Sequence, residues 1–215
     1  LIEQLLGRGV RHVFGIPGDY VLGLFDAMTH SELTVINTCD EQGAGFAADA
    51  YARVNGLGVV CVTYGVGGLK LINSTAQAYA ERSPVVVISG APGIAEMNGE
   101  ALLHHRVRDF GTQMRVFEEV TVAQTVLNDP GSAYREILRV LNAAERTKRP
   151  VYIEIPRDCG SLAIDTTPVS LPHPNTADPA SLAEALDEAA AMLNAADRPI
   201  ILAGVEVHRF GVQDR

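Results

Sequence analysis

Residues 39–53 read CDEQGAGFAADAYAR and follow an apolar, strand-like run at 33–36. This pattern predicts a strand that gives way to a helix made almost wholly of small and apolar residues. Glu41 opens the helix, where the helix dipole stabilises a negative charge. Little around it is polar enough to solvate a carboxylate. Glu41 is therefore either a helix-capping acid or a functional one, and the local residues leave both readings open.

The alternation of strand and helix continues on both sides of this segment. Strands are predicted at 12–16, 33–37, 59–63, 85–89, 121–126 and 151–155. Helices are predicted at 20–28, 41–54, 69–81 and 131–145, and the stretch 90–119 is read as long and irregular. Short apolar strands separated by helices predict an α/β fold in which a parallel sheet has helices on both faces, with right-handed crossovers.

A polar stretch rich in proline follows the last of these strands. Its composition is typical of a linker between domains, and its prolines are Pro156, Pro168, Pro172, Pro174 and Pro179. Beyond it, Ser181 is expected to cap a helix that ends near 194, and PIILAG at 199–204 reads as a strand. We predict a first domain at 1–160, a linker at 161–180 and the start of a second α/β domain at 181–215. The chain begins without Met, and we expect it to be a fragment.

The bulk composition argues against several classes of partner. The chain has 215 residues and a net charge of −9, so it offers no basic footprint for nucleic acid or an anionic membrane. No apolar run approaches the length that spans a membrane. Its three cysteines, Cys39, Cys61 and Cys159, are far apart and form no zinc-binding spacing. We expect Cys39 and Cys61 to be buried free thiols, which favours a cytoplasmic location.

The segment Gly15-Ile16-Pro17-Gly18-Asp19 lies where the first strand gives way to a helix. Asp19 is a good N-cap for the helix at 20–28. It also stands at the carboxyl end of a strand, where open α/β sheets bind ligands, so a functional role stays open.

The segment Gly65-Val66-Gly67-Gly68 follows the third strand and looks at first like a dinucleotide-binding loop. Lys70 stands where the third glycine of that loop belongs, so this reading fails. Glycines at a turn from strand to helix commonly serve backbone geometry.

His104 and His105 are adjacent within the irregular stretch. Neighbouring side chains of an extended chain point apart, so the two histidines are a poor metal pair, and we predict no metal site in this chain. They are either incidental surface residues or proton carriers, a task for which histidine is well suited near neutral pH.

Taken together, four motifs resemble the pyrimidine-binding domain of thiamin-diphosphate-dependent enzymes. They are G-x-P-G-D at 15–19, E-Q-G-A at 41–44, T-x-G-x-G-G at 63–68 and L-L-H-H at 102–105. The adjacent histidines resemble those of the pyruvate, indolepyruvate and phenylpyruvate decarboxylases, whereas acetolactate synthases lack them. The resemblance covers about residues 1–160, and 181–215 is similar to the opening of the family's middle domain.

The resemblance implies roles for individual residues. Glu41 is expected to hydrogen-bond the aminopyrimidine ring of thiamin diphosphate and to activate it. The other residues expected at the cofactor are Pro17, Gly18, Thr63, Gly65 and Gly67. Asp19, His104 and His105 are expected to serve the substrate carboxylate and late proton transfers, where each such group typically contributes roughly 10²–10⁴-fold to the rate.

The reaction implied is the non-oxidative decarboxylation of a 2-oxo acid, which releases carbon dioxide and an aldehyde. In the family, a further domain that this chain does not contain holds the diphosphate and Mg²⁺, and each site forms between two subunits. We therefore expect a homodimer or homotetramer, and we expect this chain alone to be inactive. The open alternatives are a carboligase of the acetolactate synthase kind and a non-catalytic module for subunit association.

Two predicted helices are rich in small residues, which let helices approach closely. We expect the helices after Glu41 and after Gly68 to contact a neighbouring subunit, because an open apolar face needs cover. The small residues are Gly43, Ala44, Ala47, Ala48 and Ala50 on the first helix, and Ser74, Ala76, Ala78 and Ala80 on the second.

Overall fold

The computed structural model describes residues 1–98, 102–167 and 177–214. The chain separates into two compact units, Leu1–Thr167 and Pro168–Arg215. The predicted linker at 161–180 lies partly outside the described residues. Within the described ranges, no helix is long and apolar enough to cross a membrane.

A six-stranded sheet forms the centre of the first unit. Its strand order is β2-β1-β3-β4-β6-β5, and every neighbouring pair is parallel. The strands are β1 His12–Gly15, β2 Thr34–Asn37, β3 Gly58–Val62, β4 Val85–Ala91, β5 Gln124–Val126 and β6 Val151–Pro156. The predicted parallel sheet is confirmed.

Helices cover both faces of this sheet. They are α1 Ile2–Leu6, α2 Leu22–Thr29, α3 Glu41–Asn55, α4 Val66–Lys70, α5 Ile72–Ala80, α6 Ile94–Met97, α7 Thr112–Glu118 and α8 Pro130–Thr147. Successive residues of a strand point to opposite faces. In β3, Val59 and Cys61 accordingly join an apolar cluster with residues of α1, α2 and α8, whereas Val60 and Val62 join one with residues of α3, α5 and α7. The predicted α/β class is confirmed.

Several element bounds differ from the prediction. α2 begins at Leu22, because the residues before it form a turn in which the Val21 N–H donates to the Gly18 carbonyl oxygen. The helix predicted at 69–81 is two helices that meet at Leu71, whose N–H bonds the carbonyl oxygen of Gly68, three residues back. The stretch predicted to be irregular contains α6 and α7.

The two cysteines expected to be buried differ in their surroundings. Cys61 is buried in the central strand β3, and this burial raises the pKa of its thiol. Cys39 is exposed, so the prediction of its burial is wrong. The edge strand β2 ends at Asn37, and Cys39 lies in the turn beyond it rather than in the sheet.

Some of the small residues of α3 and α5 serve contacts within the chain. Ala44, Ala48 and Ala78 are 0% exposed. A Cβ atom built on Gly45 would lie 2.0 Å from Oγ of Ser74, so the two helices meet at van der Waals distance. These three alanines are covered within the chain, whereas Ala50, Ala76 and Ala80 are exposed, and the contact of these helices with a neighbouring subunit stays a prediction.

The second unit contains α9 Pro179–Ala195 and α10 Glu206–Arg209. The predicted helix is confirmed, but its N-cap is Asp178, whose carboxylate accepts a hydrogen bond from the Ser181 N–H at 2.8 Å. The strand predicted at 199–204 is wrong. A strand needs a neighbour for its backbone N–H and C=O groups, and no strand is present between residues 177 and 214.

Candidate active site

The carboxyl ends of β1 and β3 bring two of the motifs together. These strands are neighbours, with Gly15 beside Cys61, so the segments that follow them meet at one edge of the sheet. A Cβ atom built on Gly18 would lie 2.6 Å from Cβ of Thr63. A side chain at position 18 would therefore displace Thr63. Pro17 is exposed in the same loop.

Gly67 connects Thr63 to Glu41. A Cβ atom built on Gly67 would lie 3.0 Å from Cγ2 of Thr63 and 3.4 Å from Oε1 of Glu41. The hydroxyl oxygen of Thr63 is buried and has no hydrogen-bond partner among the described residues. A buried polar atom without a partner is unfavourable, so a polar ligand bound at this turn would be stabilised by pairing with it.

Glu41 is the first residue of α3, and its side chain is 18% exposed. The helix is capped by Asp40, whose Oδ1 accepts a hydrogen bond from the Gly43 N–H at 2.7 Å. This bond and the nearby Lys70 ammonium group lower the pKa of Asp40. Nζ of Lys70 lies 3.0 Å from Oδ2 of Asp40 and 3.5 Å from Oε2 of Glu41. The helix-capping reading of Glu41 is thus wrong, and its carboxylate lies beside the turn at Gly67.

Asp19 pairs with a histidine instead of capping a helix. Its Oδ2 lies 3.2 Å from Nε2 of His104. α2 has Val21 as its N-cap, without a side-chain hydrogen bond, so the capping reading of Asp19 is wrong. The ring of Tyr20 stacks on that of His104 with centroids 4.9 Å apart, and the Tyr20 hydroxyl donates to the His104 carbonyl oxygen at 3.2 Å.

The rings of His104 and His105 contact each other edge to face, with centroids 4.6 Å apart. The expectation that they point apart is wrong, because His105 has a φ of 66°, in the left-handed region, and the chain bends there. Nδ1 of His105 is buried and unpaired among the described residues. Those residues contain no group of three or more His, Cys, Asp or Glu side chains placed to hold a metal ion.

Gly65 joins the histidine pair to the turn after β3. Its φ is 71°, and a Cβ atom built on it would lie 2.4 Å from the carbonyl oxygen of His105. Both the backbone conformation and the close approach require glycine. The predicted residues thus form two contact groups that adjoin at the turn 63–67. One contains Gly18, Thr63, Gly67 and Glu41, and the other contains Gly65, His105, His104 and Asp19.

The sequence reasoning missed Tyr20 and the residues behind it. The guanidinium group of Arg157 lies 5.5 Å from the ring centroid of Tyr20 and pairs with Glu96. Burial raises the pKa of Tyr20, although the charge of Arg157 acts in the opposite direction. Tyr20 directly follows the G-x-P-G-D motif, which could have drawn attention to it. Arg157 and Glu96 are distant in sequence and lie in no recognisable motif.

Comparisons with known proteins point to one family. Residues 1–114 match the family model described as "Thiamine pyrophosphate enzyme, N-terminal TPP binding domain". The chain is 45% identical over 215 residues to the indole-3-pyruvate decarboxylase of Azospirillum brasilense. This alignment covers 99% of this chain and 39% of that protein. It is 37% identical over 214 residues to pyruvate decarboxylase 1 of Pisum sativum, covering 95% of this chain and 36% of that protein.

A third relative shows a similar identity and a similar share of each chain covered. The chain is 38% identical over 221 residues to the pyruvate decarboxylase of Aspergillus parasiticus, covering 100% of this chain and 38% of that protein. The chain thus spans less than two fifths of the length of each of these three relatives.

Proposed function

The chain belongs to the family of thiamine pyrophosphate enzymes, and from this premise we propose that the complete protein is a thiamin-diphosphate-dependent decarboxylase of 2-oxo acids. It releases carbon dioxide and an aldehyde without net oxidation. The relatives similar to nearly the whole chain are named as decarboxylases of indole-3-pyruvate and pyruvate. The adjacent His104 and His105 favour this reaction over that of a carboligase of the acetolactate synthase kind.

The residues present fit the aminopyrimidine part of the cofactor. The hydroxyl of Thr63, which has no partner within the described part of the chain, lies beside Gly18 and Gly67, and the carboxylate of Glu41 borders the same turn. These groups can pair with the nitrogen atoms of a flat polar ring. The residues that would hold it are Pro17, Gly18, Glu41, Thr63, Gly65 and Gly67. When bound, the cofactor supplies a nucleophilic carbon and a sink for the electrons that decarboxylation releases.

Glu41 would hydrogen-bond a ring nitrogen of the aminopyrimidine and share a proton with it. Its side chain is partly exposed at the start of α3, so it can be reached by a ring that binds at the turn. Asp40 already caps the helix and takes the closer contact with Lys70, which leaves Glu41 available for the ligand.

Asp19, His104 and His105 would carry protons to and from the substrate. The side chain of Asp19 is 69% exposed and that of His104 is 49% exposed, and the ring of His105 lies next in line. Among the described residues, the buried Nδ1 of His105 has no hydrogen-bond partner, so it could pair with a group of the substrate that reaches it.

Mg²⁺ and the diphosphate group would be held by residues outside this chain, in a site completed by a second subunit of a homodimer or homotetramer. Residues 1–160 would form the pyrimidine-binding domain, 161–180 a linker and 181–215 the start of a middle domain. The three free cysteines support a reducing cytoplasm as the location.

The observation that carries the proposal is the meeting of Glu41 with Thr63 and Gly18 around the Gly67 turn. The test uses the complete protein with Mg²⁺ and either pyruvate or indole-3-pyruvate, with and without thiamin diphosphate. We expect carbon dioxide and aldehyde in equal amounts, and only with the cofactor. If neither substrate releases carbon dioxide, the proposed activity is wrong. A condensation product in place of the aldehyde would identify a carboligase, and tight cofactor binding without turnover would identify a non-catalytic module.

A further inference from the structure

A buried chain of hydrogen bonds leads from β6 to the turn at Gly65. Gln113, near the start of α7, accepts a hydrogen bond through Oε1 from the Gly65 N–H at 2.7 Å. Its Nε2 donates to the Ser89 hydroxyl at 2.8 Å and to the Tyr152 hydroxyl at 2.6 Å. The Tyr152 hydroxyl donates in turn to Oε2 of Glu154 at 2.5 Å.

The groups in this series of hydrogen bonds can donate and accept in only one direction. The Gly65 N–H can only donate, so the amide oxygen of Gln113 must face it. The amide nitrogen then faces Tyr152, whose hydroxyl proton is directed to Glu154. A carboxyl group keeps an accepting oxygen in both protonation states, so the direction does not depend on the charge of Glu154. The amide of Gln113 is therefore held from both sides.

Because the hydrogen-bonded side chains are buried, the loss of any one of them would disturb the others. Gln113 is 1% exposed, Ser89 and Tyr152 are 0% exposed, and Glu154 is 3% exposed. Water cannot replace a missing partner at such positions, so removing one group leaves its neighbour unsatisfied. A disturbance at Tyr152 is thereby passed to Gln113 and to the Gly65 N–H.

Gln113 lies directly behind the turn that carries the candidate site. A Cβ atom built on Gly68 would lie 2.3 Å from Oε1 of Gln113, so the side chain fits against glycine there. Gly65 contacts the backbone of His105, and Gly67 lies beside Glu41. The position of the Gln113 side chain therefore affects the turn that both contact groups of the site adjoin.

We propose that Gln113 is a positioning residue, which fixes the Gly65 turn and through it the placement of His105 and Glu41, and that Tyr152 holds its amide in the required orientation. The proposal rests on the proposed function for its catalytic consequence. Its structural part, the control of the Gly65 N–H by Gln113 and Tyr152, stands apart from catalysis.

The test compares three variants of the complete protein. Gln113→Met keeps the length of the side chain and removes its hydrogen bonds. Tyr152→Phe removes one hydroxyl and keeps the ring that stacks on Phe117, with centroids 4.2 Å apart. Thr121→Val is the matched control, because it removes a buried hydroxyl that donates to the Phe117 carbonyl oxygen at the other end of α7. Three quantities are measured for each variant: kcat, KM and the hydrogen-exchange rate of the Gly65 amide.

We expect faster exchange of the Gly65 amide in Gln113→Met and Tyr152→Phe but not in Thr121→Val. We also expect kcat to fall by roughly 10–10²-fold with little change in KM, as is typical when reacting groups are misplaced by about 1 Å. A Gly65 exchange rate equal to that of wild type would overturn the proposal, as would a kcat equal to that of Thr121→Val. If Gln113→Met does not fold, the Gly65 exchange rate and the kcat of Tyr152→Phe test the proposal. If wild type releases no carbon dioxide, the proposed function fails by itself, and the exchange rates alone support or overturn the positioning.

Discussion

The carboxylate of Asp19 lies 3.2 Å from Nε2 of His104 and so ties the loop after β1 to the histidine pair. The side chain of Asp19 is 69% exposed and that of His104 is 49% exposed. Pairs of this kind contribute little to the free energy of unfolding. We infer that the contact serves to place the two proposed proton carriers, Asp19 and His104, beside Tyr20 and His105.

The first prediction is that Asp19 and His104 act as one unit. Asp19→Asn and His104→Ala should each lower kcat/KM by at least about 10²-fold. The double variant should lose little more than either single variant, because residues that act together are not additive. Steady-state kinetics of all four proteins measures this coupling.

A second pair of the same type provides the control. Nδ1 of His30, the residue after α2, lies 3.6 Å from Oδ1 of Asp26 on α2; each side chain is 76% exposed, and neither has a part in the candidate site. Asp26→Asn should leave kcat/KM unchanged. Simple multiplication of the Asp19 and His104 effects, or an equal loss in Asp26→Asn, would contradict the prediction.

The second prediction separates Glu41 from its neighbour Asp40. Glu41→Gln should lower kcat by roughly 10²–10⁴-fold, because an amide cannot share a proton with the aminopyrimidine. The melting temperature should stay close to that of wild type, since Glu41 does not cap α3. The measurements are turnover and, by NMR, exchange of the cofactor's C2 proton.

Asp40→Asn is the matched control for Glu41→Gln. It removes a negative charge from the same helix end and from the same Lys70, and asparagine still caps a helix well. Activity should be retained. Unchanged C2 proton exchange in Glu41→Gln, or an equal loss of turnover in Asp40→Asn, would show that Glu41 has no special role.

The sheet was predictable because its strands carry their own signal. Val85–Ala91 is an almost unbroken apolar run, and an apolar run of this length fits a strand buried on both faces. The contacts of the site were less accessible to sequence reasoning. The meeting of His104 with His105 depends on one left-handed residue, and the bond from Gly65 to Gln113 joins segments 48 positions apart. The stretch 199–204 has the composition of a strand, but composition does not reveal whether a pairing partner is available.

The third prediction concerns the close approach of Gly18 to Thr63. Gly18→Ala should destabilise the protein by about 1–3 kcal/mol, because its Cβ atom would lie 2.6 Å from that of Thr63, an atom that no side-chain rotation can move away. Gly23→Ala is the control: it lies in α2, no described residue outside its own helical turns comes within 4 Å of the built Cβ, and alanine favours helix. Urea unfolding should show opposite signs for the two variants. Equal stability of Gly18→Ala and wild type would mean that the loop is not packed on Thr63.

The last prediction follows from the burial of Glu154 beside Tyr152. Burial raises the pKa of Glu154 from the usual 4.5 to about 7, although the hydrogen bond from Tyr152 acts in the opposite direction. Between these two values the folded protein holds a proton that the unfolded chain has released. The free energy of unfolding should therefore fall as the pH rises through this window, by up to about 3 kcal/mol.

Glu154→Gln removes this dependence, so its stability relative to wild type should increase from pH 5 to pH 8. Urea unfolding across this range measures the difference, with the exposed Glu118→Gln on α7 as control. A difference that is constant with pH would show that Glu154 does not titrate in this window.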